Sequence, residues 1–428
     1  MTRRGRSRRS ALRVALAAAV ALSSPLLLSS TGTPASATPP TPNAVVTWDA
    51  LAQESIWDVA QQGPHVQARS FSIIHGAIYD AVNAIARKPY QPYLGAPPAT
   101  GSESVDAAVA TAAFRTLEWL FPAQQAALQT KYDNFMAGVP NGSSKTAGAA
   151  IGQKTANTMI AFRTNDGAFG SRLWREGTGP GQWRRTPPGF GSDGGWVMDL
   201  KPFLIPDATM FTTSGPPALT SAQYTRDFNE VKAIGAANST IRTPDQTDSA
   251  RWWHDRRLTE WEIKRQLAVK NRLTNLQAAR MFAMVDMTEM DALIACYYEK
   301  YRWSFWRPFT SIPEAGTDGN PNTVADPAWT PLLITPPHPD YTSGHACFTA
   351  ASMGALAYFY GTDRMSFSAT SADTGTTRHF DRFSEAVAEV IEARIWGGIH
   401  TRTADVQGAL IGARTLAYMI PRYFRPTR

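Results

Sequence analysis

The chain has 428 residues, a formal net charge of +7 and two cysteines, Cys296 and Cys347. Two cysteines exclude a disulfide-stapled scaffold. Residues 1–37 hold six of the arginines and no acidic residue, so the rest of the chain carries only +1, which removes the usual argument for a nucleic-acid partner.

Arg3, Arg4, Arg6, Arg8, Arg9 and Arg13 border an apolar run from Val14 to Leu28, and Ala35-Ser36-Ala37 offers a small-residue cleavage site. Residues 1–37 therefore read as an export signal. Ser7-Arg8-Arg9-Ser10-Ala11-Leu12 approximates a twin-arginine signal with Ala11 where Phe is usual, so the route stays open. No later run is long and apolar enough to span a bilayer, which implies no membrane partner after signal removal. Residues 38–428 are expected to form one helical domain.

The stretches Ala68 to Ala86 and Ser104 to Phe121 keep apolar residues at three- and four-residue spacing, and Ser143 is a candidate cap for a helix running to Arg163. No region shows sustained two-residue alternation, so the expected class is all-α. Residues 164–222 break this pattern with Gly, Pro and Trp. Long loops inside a domain are commonly functional, and Trp174, Trp183 and Trp196 argue that this one is packed, as a lid or wrapping segment.

Three segments in residues 281–428 carry candidate chemistry. Helical spacing runs from Met281 to about Trp306, and Pro308 is expected to end that helix. On it, Lys300 and Arg307 would lie within about 20° of one face and roughly 10 Å apart along the axis, with Trp303 and Trp306 beside them to exclude water. Ser343 is a good N-cap for an apolar helix, where a helix start, Gly344 and His345 suit an anion and a proton. Arg394 and His400 are separated by Gly397-Gly398, predicting a helix end near Arg394, a glycine turn and a last helix starting near His400. Each segment alone also reads as ordinary surface cations or a structural histidine.

In this order, Lys300-x6-Arg307-Pro308, Ser343-Gly344-His345 and Arg394-x5-His400 resemble the vanadium-dependent haloperoxidases and the acid phosphatases that share their fold, the type 2 phosphatidic acid phosphatase superfamily. "HGAIYDAVNAI", "RRTPPGF" and "ARIWGGIHTRTADVQG" are similar to the bacterial exported branch. The resemblance implies a helical bundle and one pocket for vanadate, with phosphate as the competing oxyanion. It implies that Lys300, Arg307 and Arg394 supply positive charge and that Ser343 and Gly344 add neutral donors. His400 would bond the central atom, and His345 would move protons. Lys300 would polarise hydrogen peroxide for attack by halide, giving hypohalous acid for an organic acceptor. His338, five residues before Ser343, and Trp303 would border the halide, and the histidine favours bromide.

Some positions depart from the phosphatase pattern. Thr342 and Ala393 replace a Pro and a Ser, and Asp405 follows His400 by five residues instead of four. A secreted phosphatase with a phosphohistidine at His400, a non-halogenating homologue and a non-catalytic oxyanion binder are the alternatives. Asp340 is a candidate to orient His345. The two cysteines are expected to lie close together, either bridged or as buried free thiols.

Overall fold

The computed structural model describes residues 43–427, so the export-signal expectation for residues 1–37 lies outside the described residues. The helical periodicity is realised as α1 (Ala44–Gln53), α2 (Pro64–Ile85), α3 (Val105–Leu120), α4 (Gln125–Ala137), α5 (Ser143–Arg163), α6 (Ala222–Ile234) and α7 (Pro244–Trp252) in the first part. There follow α8 (Ile263–Lys270), α9 (Asn275–Trp303), α10 (Pro308–Ser311), α11 (Gly344–Tyr360), α12 (Phe383–Trp396) and α13 (Arg402–Met419). Among the described residues the only sheet is an antiparallel hairpin, β1 (Phe367–Thr370) with β2 (Thr377–Phe380). The all-α expectation is borne out.

Helix α9 joins two groups of helices. It packs on α2, which itself packs on α3 and α5, and also on α11, which packs on α12 and α13. Such a helix has little face left for water. Its residues Met281 to Tyr297 are all buried, which is why its apolar residues are not confined to one stripe.

Its limits differ from the sequence expectation. A capping box between Thr274 and Gln277 starts α9 at Asn275, and Ser304 turns into the left-handed region (φ 41°) to end it at Trp303. Pro308 begins α10 instead of ending α9. Lys300 and Arg307 therefore do not share a helix, and the expected 10 Å axial spacing does not apply. At α5 the cap is Gly142, and Ser143 is the first helical residue.

Residues 164–222 wrap the end of α9. The backbone N–H of Trp183 donates to Ser304 O (2.7 Å), and Trp306 N–H donates back to Gly181 O (3.0 Å). Trp174, Trp183 and Trp196 are all buried, as their presence in a loop predicts. Thr213 donates its N–H to Glu299 Oε2 (3.0 Å), and Tyr341 donates its hydroxyl to Thr213 Oγ1 (2.6 Å). The segment thus braces α9 and the approach to α11 against each other.

Helices α11 and α13 meet backbone to backbone. A Cβ on Gly408 would lie 2.3 Å from the Ser343 carbonyl oxygen, and one on Gly412 2.2 Å from that of Cys347. Only glycine permits this approach. Ser343 N–H also donates to Ala404 O (2.9 Å), fixing the start of α11 on the start of α13.

Candidate active site

Four separate stretches converge where α9 ends and α11 and α13 begin. Ser343 caps α11, its hydroxyl accepting from Ala346 N–H (3.4 Å). Gly344 and His345 occupy the first turn, as expected. Arg394 lies in the last turn of α12, and Gly398, at φ 72°, makes the turn that carries the chain to His400, just before α13. Asp340 N–H donates to Phe305 O (3.0 Å), which ties the approach to α11 to the stretch between Lys300 and Arg307.

His400 is held from both sides. Its Nδ1 lies 2.5 Å from Asp340 Oδ1, and the other Asp340 oxygen accepts from the Thr401 hydroxyl (2.8 Å). Arg307 Nη1 approaches His400 Nε2 at 3.0 Å. Burial, followed by the charges of Arg307 and Lys300, pushes the His400 pKa well below its ordinary value, so the ring is neutral. A neutral ring beside a carboxylate keeps its proton on Nδ1, so the Nε2 lone pair is the acceptor that meets Arg307 Nη1. Asp340 thus orients His400. The sequence expectation that it serves His345 is corrected.

The three cations differ in how they are satisfied. Arg307 is anchored by protein, donating from Nε to His338 O (2.8 Å), from Nη1 to Ile399 O (2.5 Å) and from Nη2 to His338 Nδ1 (2.9 Å). Lys300 Nζ donates to Pro339 O (2.6 Å) and Asp340 O (3.1 Å), leaving one N–H. Arg394 is fully buried, and none of its three guanidinium nitrogens has a hydrogen-bond partner. Burial lowers the Lys300 pKa to about 7, assisted by Arg307, and lowers Arg394 to about 9 against the pull of Asp405. A buried cation without partners is costly, so this cluster is built to receive an anion.

Asp405 is also fully buried, and neither of its oxygens makes a hydrogen bond of full geometry. Burial raises its pKa well above the ordinary carboxylate range, while the nearby Ser343 hydroxyl and Arg394 pull it down. It does not bond His400, in keeping with its displaced spacing.

A cavity of about 450 Å³ opens onto Gly344, His345, His338 and His400. Lys300, Arg307, Ser343 and Arg394 are fully buried, with no surface of their own on it. His345 Nε2 has no partner, and burial with the cation Arg394 holds its pKa well below the usual value. His338 accepts from Arg307 through Nδ1, so its Nε2 bears the proton. Trp303 does not line this cavity. Its indole donates to Glu299 Oε2 (3.1 Å) and its ring covers Gly215, so its expected place beside a halide is corrected. Trp306 is buried in a small satellite core with Tyr224, Phe228 and Ile395.

The two cysteines are buried free thiols. Cys296 Sγ lies 3.0 Å from Thr342 Oγ1, and Cys347 donates to Ala292 O (3.1 Å). Burial raises the Cys347 thiol further, with the Cys296 thiol adding to it. Against the same push of burial, Cys347, Lys300 and Thr342 bring Cys296 down. The pair is close, as expected.

Sequence reasoning missed His254, Tyr297, His65 and Asp193, all of which line the cavity. His254 stacks parallel to His345, with ring centroids 6.4 Å apart. Its place between Trp253 and Asp255 was the one sequence signal, but no spacing connects position 254 to 345.

Residues 280–425 match the family model described as the VCPO second helical-bundle domain. The vanadium chloroperoxidase of Curvularia inaequalis is 26% identical over 380 residues, covering 70% of this chain and 61% of that protein. The chain thus spans less than two thirds of that relative's length. A bacterial vanadium-dependent iodoperoxidase structure superposes with a TM-score of 0.75 at 22% identity, covering 90% of this chain and 98% of that one. The holo form of a bacterial vanadium-dependent chloroperoxidase gives 0.68 at 15% identity, over 90% and 98% of the two chains. The chain therefore has the fold of these vanadium haloperoxidase structures, with residues 280–425 similar to the second helical-bundle domain.

Proposed function

We propose that this protein is an exported haloperoxidase whose buried cluster binds vanadate and which oxidises halide, bromide preferentially, with hydrogen peroxide. The observation that carries the reading is Arg394, buried with three unpartnered nitrogens beside Lys300 and Arg307. Vanadate and phosphate are tetrahedral anions that match a planar guanidinium fork. The residues present fit such a group: three cations, a helix start with Ser343 and Gly344, and a neutral His400 whose unprotonated Nε2 meets only Arg307 Nη1. When bound, vanadate supplies the means of activating peroxide toward halide.

The chain's own residues have separable tasks in this reading. Asp340 keeps the His400 proton on Nδ1, and Nε2 would hold the central atom in place of its contact with Arg307. Arg394 and the remaining Lys300 N–H would neutralise the charge of such an anion. His345, facing the cavity with Nε2 unpartnered, accepts and returns a proton there. His338 offers an Nε2–H at the same wall, suited to a halide.

Equilibrium dialysis against vanadate, with phosphate as competitor, tests the site, and bromination with peroxide tests the reaction. Absence of saturable vanadate binding would overturn the reading. A second reading has one observation in its favour: the Asp340–His400 pair also suits a nucleophilic histidine in a phosphatase. Trapping a phosphohistidine at His400 during phosphate-ester hydrolysis would support it.

A further inference from the structure

The packing of α9 on α11 brings together Cys296 and Cys347, the two cysteines of the chain. Cys347 donates to Ala292 O (3.1 Å), one turn before Cys296 on α9, and the two thiols are hydrogen-bonding neighbours. Cys296 follows Leu293 by three positions and precedes Tyr297, while Cys347 follows Gly344 by three and precedes Phe348. All four flanking residues line the cavity. A Cβ on Gly344 would meet the Tyr297 ring at 3.6 Å and Leu293 at 3.9 Å, so these turns of α9 and α11 form one wall. The turns that carry the thiols are thus the turns that face the cavity.

The two sulfurs have unequal surroundings. Cys296 Sγ meets Thr342 Oγ1 at 3.0 Å and Thr342 O at 3.4 Å, and Lys300 follows one turn later on the same helix. Burial pushes this thiol up, but Cys347, Lys300 and the Thr342 hydroxyl overcome the push and bring it below the ordinary thiol value. Cys347 has no such help: burial, and then Cys296, hold it well above that value. A buried thiol in apolar surroundings is inert, whereas one with a cation and a hydroxyl beside it can exist as thiolate. An acidic thiol next to a less acidic one is the arrangement of an attacking and a resolving cysteine.

We infer that Cys296 and Cys347 are a redox modification site, closed to a disulfide by hydrogen peroxide with Cys296 reacting first. The Cys296 thiolate attacks one peroxide oxygen, the O–O bond breaks, and the other oxygen leaves as water with the thiol proton. The resulting sulfenic acid is attacked by the Cys347 sulfur, the S–O bond breaks, and a second water carries off the oxygen and the Cys347 proton. Two thiols are oxidised and one peroxide is reduced. The bridge ties α9, one turn before Lys300, to the first turn of α11 beside His345. A cross-link between such distant positions restricts the unfolded chain, so the bridged form is the more stable one. The bridge itself needs only peroxide; that this peroxide is the enzyme's own substrate rests on the haloperoxidase reading.

The test adds hydrogen peroxide to the folded, vanadate-free full chain and follows intact mass and thiol alkylation after quenching. The unsubstituted protein should lose two hydrogens, gain no oxygen and lose both alkylatable thiols together, and its melting temperature should rise. Cys347→Ala should stop at a sulfenic acid on Cys296, trapped by dimedone. In Cys296→Ala, Cys347 should oxidise at least about tenfold more slowly than Cys296 does in the unsubstituted protein, because the thiolate is the nucleophile. Two thiols that stay reduced in the unsubstituted protein, or a Cys347 that oxidises as fast without Cys296, would overturn the inference. The first of these outcomes needs no variant to fold. Vanadate dialysis on the untreated protein separates the two readings. A bridge without vanadate uptake supports this site and counts against the oxyanion reading alone. Vanadate uptake by a protein whose thiols resist peroxide sinks this site alone.

Discussion

Asp340 Oδ1 lies 2.5 Å from His400 Nδ1, although the two residues are sixty positions apart and belong to different segments. The carboxylate stands three residues before the Ser-Gly-His triplet, so the loop that positions the start of α11 also positions the histidine before α13. Burial raises its pKa to about 6 against the pull of Arg307 and Thr401. Asp405, in the first turn of α13, leaves this task to it.

Asp340→Asn should therefore weaken oxyanion binding without unfolding the protein. Loss of a partner that orients a metal-bound histidine typically costs about 10–100-fold in affinity. An amide can also present its N–H₂ to His400 Nδ1 and favour the wrong tautomer. Vanadate dialysis, with nitrogen chemical shifts of the His400 ring, would check both effects. An unchanged tautomer and affinity would mean that the contact has no functional weight.

Arg307 and Arg394 should respond differently to alanine. Each should weaken vanadate binding by about 1.5–3 kcal/mol, the range for a hydrogen bond to a charged group. Arg307 also holds Ile399 O and His338 O, so its removal should lower the melting temperature of the oxyanion-free protein. Arg394 has no hydrogen-bond partner to lose, and removing a buried unpaired cation should leave that temperature unchanged or raise it. Thermal melts with and without vanadate distinguish the two. A large destabilisation by Arg394→Ala in the absence of oxyanion would contradict the account of this cluster.

The class of fold, the cap at Ser343 and the turn between Arg394 and His400 were legible in the sequence as local signals, whereas the convergence of Lys300, Ser343, Arg394 and His400 was implied only by the resemblance that their order carries. Arg307 was read correctly as a cation of the cluster but placed on the wrong element. Apolar spacing continues through Trp306, while Ser304 ends α9 by adopting a left-handed backbone that periodicity does not reveal. Trp303 failed for the same reason, since its direction depends on where the helix stops. His254, His65 and Asp193 were invisible because they reach the cavity only through tertiary packing, from α2, the wrapping segment and the turn after α7. The Gly408 and Gly412 contacts with α11 were likewise unreadable without knowing which helix lies opposite.

The pH dependence of stability should carry the mark of Lys300. Burial and then Arg307 lower its pKa from 10.5 to about 7 in the folded protein. Between about pH 7 and 10.5 the unfolded chain holds a proton that the folded chain has released, so this residue makes stability rise with pH across that window. Below pH 7 the cost of the buried charge is fully present. Lys300→Met should remove that rise, seen as a flatter difference in urea midpoint between pH 7 and 9. A bound oxyanion should reverse the preference by favouring the charged amine. If the variant and the unsubstituted protein show the same pH slope, Lys300 does not titrate in this range.

The two site histidines should fail in different ways. His400 faces the cation cluster, with Nδ1 committed to Asp340 and Nε2 beside Arg307. His345 faces the cavity, and its Nε2 has no protein partner. On the proposed reading, His400→Ala deletes the only bond from protein to the central atom, so vanadate binding and halide oxidation should fall together. It also leaves Asp340 with Thr401 as its one side-chain donor, so stability should drop as well. His345→Ala keeps Arg394, Lys300 and the start of α11, so vanadate should still bind. Turnover should nevertheless fall by roughly 10²–10⁴-fold, the usual worth of a positioned acid–base group. Bound vanadium measured beside the bromination rate in both variants reads the two effects separately. Retention of vanadate by His400→Ala together with its loss from His345→Ala would show that the roles are reversed.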